Sequence, residues 1–404
     1  MGLHPGRDPG PFVRRGAAVH EDGIYRPLPP GVRQGPVAWV DALVWVDALV
    51  WVGTLVWVDA LVWVDALVWV DALVWVDALV WVGTLVWVDA LVWGLMHRCG
   101  RYGGWMRLVT FTDGPSGVPG PHTGLLVGDE VVVLDDPGVG LPSDMVALLA
   151  GGSDALEVAA RAVASRASRV PLAGLRLGAP VRRPPKVFGI AMNYADHVGE
   201  LGRDAPAFPA FFAKAPTCVV GPFDAIEVPR VSDQVDYEGE LAVVIGRRCR
   251  HVPADRAREV VAGFCVMNDV SVRDWQWRTS QFTLGKSFDT HGPLGPCLVT
   301  VDEVGDPQAL GLRTWVNGEL RQQASTAAMI FSCWEQVACL STACTLEPGD
   351  VIATGTPAGV GAAADPPRWL VDGDVVRIEI EGIGSIANPV VDQPDDRPMG
   401  MPER

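Results

Sequence analysis

From residue 106 onward the sequence predicts an α+β fold dominated by strands, a roll or sandwich with few helices. Two observations carry this. Short apolar runs rich in β-branched residues recur from Lys186 onward, punctuated by Gly and Pro. Stretches with a helical period are few and short, so packed sheets must supply most of the core.

Taken in order, Arg107–Phe111, Thr123–Val127 and Glu130–Leu134 read as strands, the last two joined by the Gly128-Asp129 turn. Helices are expected over Ser143–Leu149 and Asp154–Ala164, with Ser143 and Ser153 as N-caps. This leading stretch, residues 106–175, is read as a small subdomain of strands and helices, and the Pro/Arg/Gly-containing stretch 171–185 as a connector. Residues 176–392 then form the main domain. Its expected strands are Val187–Ile190, Ala210–Lys214, Leu241–Ile245, Val261–Asn268, Cys297–Val301, Leu312–Val316, Val351–Ala353 and Val375–Ile380. Helical stretches are limited to Asn193–Leu201, Ala254–Val261 and Met329–Leu340. Residues 393–404 are expected to be a disordered tail.

The first 105 residues are of another kind. Residues 1–37 are rich in Pro, Gly and Arg, lack the apolar core of a secretory signal, and are read as a disordered extension. Residues 39–92 are nine tandem hexads of the form Trp-Val-Asp-Ala-Leu-Val, two of which carry Gly-Thr (Gly53-Thr54, Gly83-Thr84) in place of Asp-Ala. A six-residue step turns 240° on a helix, so the Asp residues circle it and leave no apolar face. A membrane span would carry about three Asp per 19-residue window, each costing roughly 2.5–3.5 kcal/mol at the bilayer centre. As a strand, Trp, Asp and Leu share one face and Val, Ala and Val the other, an aggregation-prone arrangement. A hexapeptide β-helix would lack an obvious stacked core of Asp and Trp. Met106 opens ordinary globular composition, so the repeat region (38–94) and the linker 95–105 are expected to lie outside the working protein.

The net charge of −16 includes seven Asp from the repeat, and no basic stripe offsets it, so no nucleic-acid partner is expected. Eight cysteines occur with no Cys-x-x-Cys pair, which suits reduced thiols and a cytoplasmic protein rather than a disulfide framework or zinc site. No membrane association is expected.

The chemistry starts from Val235-Asp236-Tyr237-Glu238-Gly239-Glu240-Leu241. A strand has period two, so Glu238 and Glu240 project from one face and Gly239 from the other. Two carboxylates entering a buried strand repel one another and lose hydration, an arrangement that a divalent cation relieves. At an edge strand they would simply be solvated. Asp269, where the apolar run Val261–Asn268 gives way to a loop, is the candidate third ligand. Three carboxylates make an all-oxygen site suited to Mg²⁺ or Mn²⁺ and poor for Zn²⁺.

Three further motifs accompany the triad. In Asn193-Tyr194-Ala195-Asp196-His197-Val198-Gly199-Glu200, His197 and Glu200 share a helix face, so the carboxylate can orient the imidazole as a general base. Lys286, in Gly285-Lys286-Ser287-Phe288-Asp289, can neutralise an enolate or carboxylate. The run Thr354-Gly355-Thr356-Pro357-Ala358-Gly359-Val360-Gly361 can offer backbone N–H groups to an anion, and no Gly-Lys-Ser/Thr ending makes it a nucleotide loop.

The ordered set Asn-Tyr-x-x-His-x-x-Glu, Phe-Phe-x-Lys, Tyr-Glu-Gly-Glu-Leu, Asn-Asp-x-Ser-x-Arg-Asp, Gly-Lys-Ser-Phe-Asp and Gly-Thr-Pro-x-Gly-Val-Gly resembles the catalytic domain of the fumarylacetoacetate hydrolase family over about residues 185–392. The resemblance implies a mixed β-sandwich roll, a homodimer, and Mg²⁺ or Mn²⁺ held by Glu238, Glu240 and Asp269. It implies a hydrolase or decarboxylase that cleaves a C–C bond in a 2-oxo or 1,3-diketo acid, or else a dienoate isomerase or hydratase. On this reading His197, oriented by Glu200 on a lid helix, moves the proton, and Lys286 stabilises the oxyanion. Lys214, Gly355 and Thr356 hold the substrate's carboxylate, and Arg273 supports it or pairs with Asp274. His291 and Cys297 stand where bulkier aromatics are expected beside the pocket. A protein of another class, a non-enzymatic assembly built on the Trp-rich repeat, would leave these motifs without a use.

Overall fold

The computed structural model describes residues 106–112, 120–200 and 202–394, together with the backbone of short strand pairs before residue 83. Within the repeat these pairs are parallel and three hexads apart, Trp39 beside Trp57 and Trp57 beside Trp75, the offset of a hexapeptide β-helix coil. Apart from the backbone pair Ala18–Val19 with Tyr25–Arg26, the expectations for 1–37 and 95–105 lie outside the described residues, as does that for 393–404 beyond residue 394. The chain divides into two compact units, Met1–Cys99 and Gly100–Arg404.

Two large sheets and one two-stranded ribbon, Val235–Asp236 with Ser271–Val272, make up the described strands of the second unit. The larger runs, in spatial order, through Arg169–Pro171, Glu130–Val133, His122–Val127, Arg107–Thr112, Gly292–Thr300, Val261–Asn268, Gly239–Ile245, Val351–Ala353, Val187–Ala191 and Ala210–Lys214. The smaller is Ile226–Val228, Gly384–Asp392, Val375–Ile380, Gly311–Val316 and Glu319–Ser325. Strand-dominated, mixed sheets with few helices are what the sequence predicts. The leading strands, however, are not a separate sheet. Arg107–Thr112 pairs antiparallel with Gly292–Thr300, so the boundary expected at 175 falls within one continuous sheet.

Gly239–Ile245 is buried along its whole length because both of its faces are covered. Leu241, Val243 and Ile245 pack with Leu312, Val376 and Ile378 of the smaller sheet. Ala242 and Val244 face the opposite way, into a cluster with Met145, Leu148 and Leu149 from the helix Met145–Ala150. Parity therefore decides where the glutamates go. Gly239 faces the smaller sheet, where a Cβ would lie 2.3 Å from Thr314 Oγ1. Glu238 and Glu240 point to the other side.

Caps and connectors differ from expectation in explicable ways. The first helix is capped by Asp144, whose side chain accepts the Ala147 N–H, and Gly151 rather than Ser153 precedes the second. The last helix is Cys333–Ala343, begun by a capping box between Ser332 and Glu335 instead of at Met329. Ala254–Val260 winds as a 3₁₀ helix. Glu319–Ser325 is a strand despite its polar composition, because it lies at a sheet edge with one side in water.

Candidate active site and metal centre

Four elements bring the site together. Glu238 and Glu240 sit at the start of Gly239–Ile245, paired in register with the end of Val261–Asn268, where Glu240 lies opposite Met267 and Gly239 opposite Asn268. The Asp269 N–H then donates to the Glu238 carbonyl at 2.9 Å, which turns the third carboxylate toward the other two. One carboxylate oxygen from each of Glu238, Glu240 and Asp269 lies within 4.8 Å of the others, and all three residues are buried.

Buried cations surround the triad unevenly. Lys286, on the helical turn Thr283–Lys286, bridges Glu238 Oε2 and Asp269 Oδ2, each at 2.7 Å. Lys214, ending the edge strand Ala210–Lys214, donates to Asp269 Oδ1 at 2.5 Å and to the His291 carbonyl at 3.0 Å. Arg273 Nη1 meets Glu238 Oε1 at 2.7 Å while its Nε donates to Asp236 Oδ2 at 2.9 Å. Burial by itself would raise the Glu238 carboxyl, but Lys286 and Arg273 outweigh it and hold it down at about 2. Lys286 is treated in the opposite sense. Burial would lower its ammonium, and Asp269 and Glu238 hold it above its ordinary value.

Glu240 has no such partner. It accepts one N–H, from Gly355 at 2.8 Å, and forms no ion pair among the described residues. Burial first, then the negative charges of Asp269 and Glu238, push its carboxyl well above the usual range. A buried carboxylate beside two others and without a cation of its own fits a divalent ion, and the all-oxygen donor set fits Mg²⁺ or Mn²⁺.

The dyad is formed. On the short helix Ala195–Glu200, His197 Nδ1 lies 2.8 Å from Glu200 Oε2, and both side chains are largely buried. Glu200 Oε1 accepts the Gly359 N–H at 2.9 Å, which ties the helix to the glycine-rich loop. His197 lies near enough to Glu238 to share its electrostatic surroundings.

Several residues stand differently from their sequence roles. Lys214 faces Asp269 rather than an open pocket. Arg273 pairs with Asp236 and Glu238, not with Asp274, whose carboxylate receives Ser232 and Arg278. The Gly355 N–H is taken by Glu240, and Thr356 Oγ1 donates to the Gly239 carbonyl while accepting from Gln322. His291 and Cys297 are both buried. Burial drives His291 down to about 4, with Nε2 at 2.9 Å from the Glu227 carbonyl.

Three supporting residues escaped the sequence reading. Asp236 is fully buried and accepts N–H groups from Tyr237, Arg273, Gly361 and Ala362. Gln322 accepts from Gly239 and donates to Thr356 and Pro357. Asn193 bonds the backbone of Phe331 and Thr354. Asp236 and Asn193 stand inside motifs the sequence singles out, Asp236 directly before Tyr-Glu-Gly-Glu and Asn193 at the head of Asn-Tyr-x-x-His-x-x-Glu, whereas Gln322 carries no such signal.

A buried acidic triad gathered from two paired strands, with a histidine–carboxylate pair near it, is a group of side chains that could hold a metal ion. Residues 186–391 match the family model described as fumarylacetoacetate (FAA) hydrolase C-terminal, and the chain belongs to the fumarylacetoacetate hydrolase family. It is 45% identical over 289 residues to oxaloacetate tautomerase Fahd2a, mitochondrial, of Rattus norvegicus, covering 71% of this chain and 92% of the relative. Maleylpyruvate hydrolase from Sphingobium sp. SYK-6, solved with manganese(II) and pyruvate, is 33% identical with a TM-score of 0.60, covering 72% of this chain and 100% of that one. The 5-carboxymethyl-2-hydroxymuconate delta-isomerase from Mycobacterium smegmatis is 37% identical with a TM-score of 0.58, covering 71% and 100%. A cytoplasmic location was expected from the cysteines, whereas the rat relative is named as mitochondrial. Among the described residues no helix is long and apolar enough to cross a membrane.

Proposed function

We propose that the protein is a Mg²⁺- or Mn²⁺-dependent enzyme that interconverts the keto and enol forms of a 2-oxo dicarboxylic acid of the oxaloacetate type. The observation that carries this is the joint anchoring of proton carrier and triad. The loop that holds Glu240 through the Gly355 N–H also holds Glu200, and through it His197, by the Gly359 N–H. The identity to an oxaloacetate tautomerase supports the choice of substrate.

Glu238, Glu240 and Asp269 would hold the ion, which when bound supplies a Lewis acid that polarises the substrate's carbonyl. With Nδ1–H donated to Glu200, His197 presents the Nε2 lone pair. That nitrogen takes the proton from the carbon next to the carbonyl as the electron pair moves onto the carbonyl oxygen; returning a proton to that oxygen gives the enol. Four carboxylates (Asp236, Glu238, Glu240, Asp269) face three buried cations (Lys214, Arg273, Lys286), so a divalent ion leaves the centre one charge positive and receptive to an anion. Lys286 is the cation placed between two of these carboxylates and next to the developing negative charge.

A second reading keeps the same enolate and adds cleavage of a C–C bond in a 2-oxo or 1,3-diketo acid by hydrolysis or decarboxylation. The His197–Glu200 pair favours it, because an imidazole oriented by a carboxylate can also activate water. Following the ultraviolet absorbance of enol-oxaloacetate, with the full chain, added Mn²⁺ and a chelator control, tests the first reading. Accelerated decay that disappears with chelator supports it. No acceleration, alongside release of pyruvate from maleylpyruvate, replaces it with the second.

A further inference from the structure

Phe212 lies on the same strand face as Lys214, two residues before it, and therefore on the side of the sheet that carries the site. Its ring folds across the opposing strand, over Gly189, its direct cross-strand partner. A Cβ on Gly189 would fall 2.3 Å from the ring's Cζ, so only glycine leaves room for the aromatic in this position. The Lys286 ammonium lies 5.1 Å from the ring centroid, and the Phe282 ring meets it edge-on at 5.9 Å. Lys286 and Lys214 are buried, whereas Phe212 is only half-buried.

We infer that Phe212 is a specificity-determining residue: its ring is the apolar wall beside Lys286 that limits the chain a 2-oxo acid carries beyond its head group. The inference rests on the reading that the site takes 2-oxo acids. The ring is rigid, with few torsions to yield, and it is braced by Gly189 beneath and Phe282 at its edge. A substrate short enough to end before the ring keeps its polar end in water or against the cations. One extended by methylenes must displace the ring, and a methylene in such a pocket is worth about 10–200-fold in discrimination.

The two sides of the brace move the wall in opposite directions. Phe212→Ala removes it, and Gly189→Ala drives the ring off its support and into the space beside Lys286. Calorimetric titration of the Mn²⁺-loaded full chain with pyruvate, 2-oxobutyrate, 2-oxovalerate and 2-oxohexanoate reads the wall without requiring turnover. Affinity in the parent is expected to fall at least tenfold from the shortest to the longest acid. In Phe212→Ala that fall flattens, with Phe212→Leu between the two, and in Gly189→Ala it steepens. Titration with Mn²⁺ alone is expected to be unchanged in Phe212→Ala, which shows that the carboxylate site is intact. An equal loss for all four acids means that the ring acts only by holding Lys286, and overturns the inference. So does a parent whose affinity is independent of chain length, although the reading of a 2-oxo acid site survives that result. If the parent binds none of the four acids, that reading fails and the inference with it.

Discussion

Replacing Glu240 by Gln is expected to invert the protein's stability between chelator and metal. The ligand oxygens of the triad lie within 4.8 Å of one another. At an effective dielectric constant of about 20, two unit charges at 4.8 Å repel by about 3.5 kcal/mol. Lys286, Lys214 and Arg273 compensate much of the charge on Glu238 and Asp269, so about 2 kcal/mol is a fair net cost for ionised Glu240 without an ion. A Gln at this position still accepts the Gly355 N–H and removes the charge. In chelator the variant should therefore melt several degrees above the parent, at roughly 2–4 °C per kcal/mol. Saturating Mn²⁺, at 100 times its dissociation constant, should stabilise the parent by about 2.7 kcal/mol and the variant far less. The melting temperatures then cross. Glu238→Gln behaves oppositely, because it strips Lys286 and Arg273 of a buried partner, and should cost about 3–5 kcal/mol in chelator. Differential scanning fluorimetry of the three proteins with and without metal decides the matter. An E240Q protein that melts below the parent in chelator and keeps the full Mn²⁺ response would refute the reasoning.

Other consequences are as direct. His197→Ala should lower turnover of the enol substrate by about 10²–10⁴-fold with little change in Mn²⁺ affinity, and equal rates would remove His197 as the proton carrier. Burial holds His291 at about 4, against about 6.5 when unfolded, so the folded state binds fewer protons between these values. Stability is thus full above pH 6.5 and falls by ~3 kcal/mol as the pH drops to 4; His291→Gln should flatten that limb in urea titrations at stepped pH. Deletion of residues 1–105 should leave the melting temperature of the remaining chain unchanged and its proposed tautomerase rate within about twofold of the full chain's, and aggregation or lost activity would show that the repeat unit contributes.

The sequence was most legible where one physical effect dominated. Val261–Asn268, Ala210–Lys214 and Val375–Ile380 are apolar or alternating runs whose neighbours Gly, Pro or Asp stop them, and the structure has them with the same ends. Glu319–Ser325 is not legible that way, since an edge strand satisfies only half of its backbone from its partner and needs no apolar face. Gly239 illustrates the same division within the site. Its neighbours announce two carboxylates on one face, which period two predicts. That the opposite face must be bare follows only from the packing of Thr314, more than seventy residues away.

The glycine-rich loop shows how a correct chemical reading can have the wrong recipient. Its backbone N–H groups do bind carboxylates, but the carboxylates belong to the protein. Gly355 holds Glu240, Gly359 holds Glu200, and Gly361 with Ala362 holds Asp236. Asp236 in turn holds Arg273, which holds Glu238. One loop thus fixes a candidate ligand, the orienter of the candidate base, and the support of a second candidate ligand. The motif's glycines serve this role sterically as well: at Gly359, with φ of 102°, a Cβ would fall 2.0 Å from the Arg321 carbonyl oxygen. Such sharing means that any displacement of the loop would disturb the candidate base and the carboxylate triad together. On the proposed reading, a substrate carboxylate would draw its binding energy from the positive excess of the loaded centre, since these four N–H groups are already taken by the protein's own carboxylates.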